Sequence, residues 1–247
     1  MYILGMGTPL EGKVAIVTGG SRGIGFAIAV ALLQKGTHVA ISGVNKDHLE
    51  NAEIELTRAA GSSARVLIVS ADVRDQLAVQ SLVDETTRRY GGLDILVNNA
   101  GVGWFGSVES QGHDEWRRVM DTNVTGVFNC CKAAIPHLRR RGGGYIINIS
   151  SLAGSNPFVG GASYCASKAA VDVFTDALMQ EVRHDGIRVS CIKPGSVNTD
   201  FMGHADPEND WKLRPEDVAQ VVVDLVSHDA RSLPSRVDMR PSRPPKK

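Results

Sequence analysis

The chain has 247 residues, with Lys plus Arg equal to Asp plus Glu at 27 each, so it carries no net charge at pH 7. That balance, with aromatic residues at only 5%, removes any general electrostatic case for a nucleic-acid or membrane partner, and no apolar run approaches the roughly 18 residues of a spanning helix. The leader Met1–Thr8 lacks the basic start and cleavage site of a signal peptide, Cys130, Cys131, Cys165 and Cys191 show no Cys-x-x-Cys spacing, and the histidines form no ligand pair, so a cytoplasmic protein with reduced thiols and no metal site is expected.

In chain order, short runs rich in Val and Ile and bounded by Gly, Asp or Asn predict strands at Val14–Val17, His38–Ile41, Arg65–Val69, Leu93–Val97, Tyr145–Ile149 and Arg188–Ile192. Helical periodicity fills the intervals: Ile24–Gln34, Lys46–Ala60, Gln76–Tyr90, Asp114–Arg139 and Ser163–His184. Strict alternation of strand and helix predicts an α/β fold with a doubly wound parallel sheet and helices on both faces, because right-handed crossovers place helices on each side. No linker, composition break or repeat divides the chain, so residues 1–240 are expected to form one domain. A last helix, Pro215–Ser227, precedes a short edge strand, Arg236–Met239, and then residues 241–247, rich in Pro and basic side chains and expected to be frayed.

The first strand runs into Thr18-Gly19-Gly20-Ser21-Arg22-Gly23-Ile24-Gly25, and the helical pattern starts there. Glycine permits a left-handed turn and lets backbone N–H groups at a helix N-terminus approach a pyrophosphate. Such a turn alone is a weak signal, because an ordinary strand-to-helix turn also uses glycine. Placed after the first strand of an alternating chain, it points to dinucleotide binding.

The Gly-x-x-x-Gly-x-Gly spacing is followed in order by Asn98-Asn99-Ala100-Gly101, Asn123 in Asp-Thr-Asn-Val, Ser151, Tyr164-Cys-Ala-Ser-Lys168 and Pro194-Gly195-Ser-Val197-Asn-Thr199. In that order the motifs resemble the classical short-chain dehydrogenase/reductase family, from about the first strand to Thr199. The resemblance implies a single Rossmann-type dinucleotide-binding and catalytic domain. It places Gly19, Ser21, Arg22, Gly23, Ile24 and Gly25 at the pyrophosphate and Asn99, Ala100 and Gly101 near the cofactor. It also places Asp72 and Val73 at the adenine, and Pro194, Gly195, Val197 and Thr199 over the nicotinamide. A helix-capping role is the competing explanation for Asp72. The same resemblance gives Ser151 the task of orienting the substrate oxygen, Asn123 a water in a proton relay reaching Lys168, and the subunits a homodimer or homotetramer built on the two long helices. A backbone-bonded helix residue is the alternative for Asn123.

Tyr164 and Lys168 lie four apart in a helical segment, so their side chains share a face. An ammonium about 4 Å from a phenol at an effective dielectric near 20 contributes roughly 4 kcal/mol, about three pKa units before desolvation opposes it. Tyr164 is therefore expected to be brought toward working pH, able to give a proton to a carbonyl oxygen or take one from an alcohol. No Gly-x-Ser-x-Gly elbow marks a nucleophilic serine. At the end of the second strand, where an acid would bond the ribose diol of NAD, the chain has Gly43, and Arg22, Ser42 and Asn45 could contact a 2′-phosphate. NADP(H) is the preferred cofactor, with NAD(H) as the alternative, because Val44 stands where many NADP enzymes carry Arg. The reading is an oxidoreductase interconverting a carbonyl and a secondary alcohol, in the manner of an NADPH-dependent carbonyl or 3-oxoacyl-thioester reductase. An NAD-linked alcohol or sugar dehydrogenase and a nucleotide-binding sensor without turnover are the rivals. Substrate selection is assigned to the segment Asp200–Arg214, polar apart from Phe201, Met202, Trp211 and Leu213.

Overall fold

Every residue of β1, Val14–Thr18, is buried, as expected of a parallel strand covered on both faces. Ala15 and Val17 point into one apolar layer with Ile28 and Leu32 of α1 (Gly23–Gln34), Leu49 and Leu56 of α2 (Lys46–Ala60) and Val222 of α7 (Pro215–Ser227). Val14 and Ile16 point into the opposite layer, with Val79 and Leu82 of α3 (Gln76–Tyr90), Cys130 and Ala134 of α5 (Gly126–Arg140), and Val171 and Leu178 of α6 (Ala162–Val182). This computed structural model describes residues 10–202 and 209–245. The leader Met1–Thr8, positions 203–208 of the expected substrate segment, and Lys246 and Lys247 lie outside the described residues.

Six further strands join β1: β2 (His38–Gly43), β3 (Val66–Ser70), β4 (Ile95–Asn98), β5 (Gly144–Ile149), β6 (Ile187–Pro194) and β7 (Arg236–Met239). The sheet order is β3-β2-β1-β4-β5-β6-β7 and every pairing is parallel. The chain therefore winds from β1 to one side through β3 and returns to start the other half at β4. A crevice opens at the C-terminal ends of β1 and β4, where ligands of such sheets bind.

The expected single helix over Asp114–Arg139 is two helices. α4 (His113–Met120) passes through a π-helical turn, Asp121–Thr125, into α5. The wide turn carries Asn123 inward, where its amide donates to the Val102 carbonyl and the Ser167 hydroxyl, both at 2.9 Å, and accepts from the Val102 N–H at 2.8 Å. A one-residue widening of this kind is invisible to a 3.6-residue periodicity. α6 stops at Val182 and gives way to a 3₁₀ turn, Arg183–Asp185, closed by left-handed Gly186. No helix among the described residues is long and apolar enough to cross a membrane.

Candidate active site

The Gly-rich loop leaves the C-terminal end of β1, and its close contacts explain its composition. A Cβ on Gly25 would come within 2.3 Å of the Gly19 carbonyl oxygen, so only glycine lets α1 start so near the loop. The start of α1 receives no side-chain cap, which leaves its first N–H groups free to meet an anion. The neighbouring loop is tied on by Thr18, whose hydroxyl accepts from the N–H groups of Asn99 and Ala100 at 3.0 and 3.1 Å. Asn99 in turn donates to the carbonyls of Thr18 and Gly19 at 3.0 and 3.1 Å. Its neighbour Asn98 is buried and bonds Asn148 at 2.8 Å, a link within the sheet rather than a wall of the site.

One cleft of about 1250 Å³ runs from this loop to the ends of β5 and β6. That exceeds the roughly 300–1,000 Å³ of a single small-ligand pocket, so a dinucleotide and a substrate fit end to end. Gly19, Ser21, Arg22, Gly23, Ile24, Gly43, Asp72, Val73, Asn99, Ala100 and Gly101 line one part; Ser151, Tyr164, Lys168, Pro194, Gly195, Val197 and Thr199 line the rest. Gly25 and Asn123 stand behind the walls. A Cβ on Gly101 would lie 3.3 Å from Asn123 Oδ1 and 3.7 Å from Lys168 Nζ, so Asn123 and Lys168 flank one narrow gap beneath the cleft. Asp72 does not cap α3, a task that Asp75 performs by accepting from Leu77 N–H and Ala78 N–H. Its carboxylate instead pairs with Arg74 at 2.5 Å, which holds its pKa below the ordinary value. The Ser42 hydroxyl is buried with no hydrogen-bond partner among the described residues. That orphaned donor, the open helix start and the basic side chain of Arg22 suit a phosphorylated dinucleotide.

At the other end, Ser151 follows β5 and starts a 3₁₀ turn, Leu152–Gly154, where its Oγ accepts from Ala153 N–H at 3.1 Å. Its hydroxyl donates to the Pro194 carbonyl at 3.4 Å, and its proximity to the Tyr164 phenol moderates a pKa that burial drives above the ordinary tyrosine value. Here the structure corrects the expectation from spacing. Lys168 Nζ donates to the Ile149 carbonyl at 3.0 Å and sits over the Tyr164 ring, 5.8 Å from its centre. Burial lowers Lys168 itself to about 8. Burial favours the neutral form of both groups, so the phenol keeps its proton at neutral pH.

Beneath the Ser151 loop lies a buried ion pair that spacing did not single out. Asp172, one helical turn beyond Lys168, holds Lys193 Nζ at 2.6 Å, and the two residues are 5% and 2% exposed. Ser150 Oγ donates to the other Asp172 oxygen at 2.5 Å, and Lys193 also reaches the Ser155 hydroxyl. The pair joins α6, the end of β6 and both sides of the Ser151 turn. Continuing the four-residue step from Tyr164 through Lys168 would have found Asp172, though not its partner. Phe105 and Phe158 were also missed; they follow β4 and β5, at the sheet edge where ligands bind. Pro241 and Pro244, expected in a frayed tail, line the cleft, and Pro241 packs close to Gly195.

The family model described as short chain dehydrogenase matches residues 13–210. Among curated proteins, the chain is 38% identical over 225 residues to glycine betaine reductase of Emericella nidulans, covering 87% of this chain but only 18% of that protein's length. It is 35% identical over 242 residues to the 3-oxoacyl-[acyl-carrier-protein] reductase of Chlamydia muridarum, covering 94% of this chain and 97% of that one. Among solved structures, a metagenomic short-chain oxidoreductase in complex with NADP superposes with a TM-score of 0.83 at 34% identity, covering 96% of this chain and 100% of that one.

Proposed function

A chain matched by the short chain dehydrogenase model over residues 13–210 belongs to that family, and on this premise we propose that it is an NADPH-dependent carbonyl reductase. The observation that carries the proposal is the convergence of Ser151, Tyr164 and Lys168 on one end of a cleft whose other end is an anion-ready glycine loop. The cofactor supplies or accepts the hydride when bound. Ser151 holds the substrate oxygen, and Tyr164, protonated at neutral pH, delivers its proton to that oxygen as it gains charge. Lys168 and Asn123 flank the route by which the phenol is reloaded, and Lys168 stands ready to bond the ribose. In the oxidative direction each proton moves the other way.

The NADP of the metagenomic relative supports the 2′-phosphate reading, as do Arg22, the buried Ser42 hydroxyl and the lack of an acid at Gly43. Asn45 accepts from His48 N–H at the start of α2 through its side-chain oxygen, which leaves its amide N–H groups to donate to a phosphate beside Ser42. The protein assembles at least as a homodimer through α4, α5 and α6. Trp116, Phe128 and Val173 remain 42%, 48% and 68% exposed on those helices, whereas Leu178, expected on the same face, is buried in the chain's own core. A cytoplasmic location suits a nicotinamide-dependent enzyme with four buried thiols. The test is a panel of ketones and alcohols assayed with both cofactors by nicotinamide absorbance, run beside Tyr164→Phe. Loss of nearly all turnover with retained cofactor binding is expected, and near-normal kcat in Tyr164→Phe would remove Tyr164 from the acid/base role.

A further inference from the structure

The rings of Phe158, Phe105, Tyr164 and Phe201 form one row along the cleft. Phe105 lies 6.1 Å from Phe158 and 5.7 Å from Tyr164, and Phe201 lies 5.7 Å from Tyr164 on its own contact. Each ring comes from a different segment: the loops after β4 and β5, the first turn of α6, and the 3₁₀ turn Asp200–Met202 after β6. The two loops are stitched together by Gly106 N–H donating to the Gly160 carbonyl at 2.8 Å. Three of the chain's six phenylalanines are thus gathered at the proton-donating group, and they stay 36%, 45% and 42% exposed at Phe105, Phe158 and Phe201. Leaving three large rings in water is unfavourable unless something covers them in use.

Resting on the carbonyl–alcohol reading above, we propose that this row selects ketones, and the matching secondary alcohols, whose carbonyl carbon bears a flat, uncharged aromatic group. A ring laid on this wall meets aromatic neighbours at contact distance, an arrangement favoured beyond simple area burial. The rings touch one another and enclose no box for a cation, and the cleft walls carry Arg22, Arg74, Arg118, Lys212 and Arg240 against Asp72 and Asp200. A quaternary ammonium substrate, the other ligand that aromatic clusters attract, is therefore disfavoured. A flexible acyl chain gains area burial on these rings but not the added ring–ring attraction.

The experiment compares 1-phenylethanone with 1-cyclohexylethanone, which match in size and differ in aromaticity. It reads kcat/KM with NADPH, and equilibrium binding of the corresponding alcohols to the NADPH-loaded protein by calorimetry. Expected is an approximately tenfold preference for the phenyl compound in both readouts, falling about threefold or more in each of Phe105→Leu and Phe201→Leu. Conjugation makes the phenyl ketone the less electrophilic of the two, so intrinsic reactivity does not produce this preference. Equal binding of the two alcohols, or a preference untouched in both variants, overturns the proposal, as does a 3-oxoacyl thioester reduced about a hundredfold more efficiently than the phenyl ketone. Aryl-selective binding that both variants lose upholds it, and failure to reduce any ketone in that case would strike the carbonyl–alcohol reading instead.

Discussion

Replacing Lys193 by Met would remove an ammonium and keep the stem that fills its space. The carboxylate of Asp172, 5% exposed and facing an apolar thioether chain where an ammonium stood at 2.6 Å, would keep only the Ser150 hydroxyl as a strong partner. Removing one member of a buried pair costs about 3–5 kcal/mol, because the remaining charge is stranded rather than because the pair is itself worth that much. For a chain of this size, such a loss lowers Tm by on the order of 10 °C. The companion Asp172→Asn/Lys193→Met removes both charges while leaving an acceptor for Ser150, and should recover most of the loss. Urea unfolding of the two single variants, the double variant and the parent closes the cycle, with a coupling of about 2–3 kcal/mol expected. Lys193→Met within about 1 kcal/mol of the parent, or a coupling below about 0.5 kcal/mol, would show that the pair is solvated and that the reasoning fails.

Lys168 falls to about 8 on folding from its ordinary 10.5, so between those values the unfolded chain holds a proton that the folded one has lost. Stability should therefore rise with pH across that window, by roughly 3 kcal/mol relative to Lys168→Met. Urea unfolding at about pH 7.5 and about pH 10.5 measures this, and parallel behaviour of parent and variant would refute it. A Cβ on Gly43 meets Ser21 Oγ at 3.4 Å and Leu49 at 3.6 Å, ordinary contacts, so Gly43→Asp fits beside the phosphate loop. Its carboxylate should shift the kcat/KM ratio toward NAD(H) by at least about tenfold, and an unchanged ratio would mean that another position discriminates. Light scattering at micromolar concentration should give a dimer or larger, with Phe128→Glu lowering the mass; a monomeric parent would end the assembly proposal.

The five inner strands were legible because they are largely buried on both faces and so read as short apolar runs closed by a turn residue, and the edge strand β3 was legible from its own Val/Leu/Ile run despite its partial exposure. Ser151, Tyr164 and Lys168 were legible as a set, since their motifs sit at the strand ends and helix start where a parallel sheet gathers its ligands. What their side chains do to one another was not. The direction of the Tyr164 shift depends on how much water the fold removes, and Lys168 prefers the Ile149 carbonyl, a partner 19 residues earlier that no spacing names. Lys193 shows the same limit: in sequence it is a polar residue before a Pro-Gly turn, and only the pairing of β5 with β6 beside α6 brings it under the Ser151 loop. The aromatic row was hidden for another reason, because its members are scattered singly over about a hundred residues and share only a sheet edge.

The wide turn at Asp121–Thr125 sets a rotational phase. An α-helix turns by about 100° per residue, so the extra residue fixes how α4 is clocked against α5. With it, Val119 faces inward on one side of the turn and Val127 and Cys130 on the other, while Asn123 holds Val102 and Ser167 between them. A chain shorter or longer by one residue here could keep every hydrophobic side chain and every hydrogen-bonding group and still present the wrong ones to the sheet. Length between His113 and Arg140 is thus constrained as well as its side chains, even though α4 by itself buries only Val119.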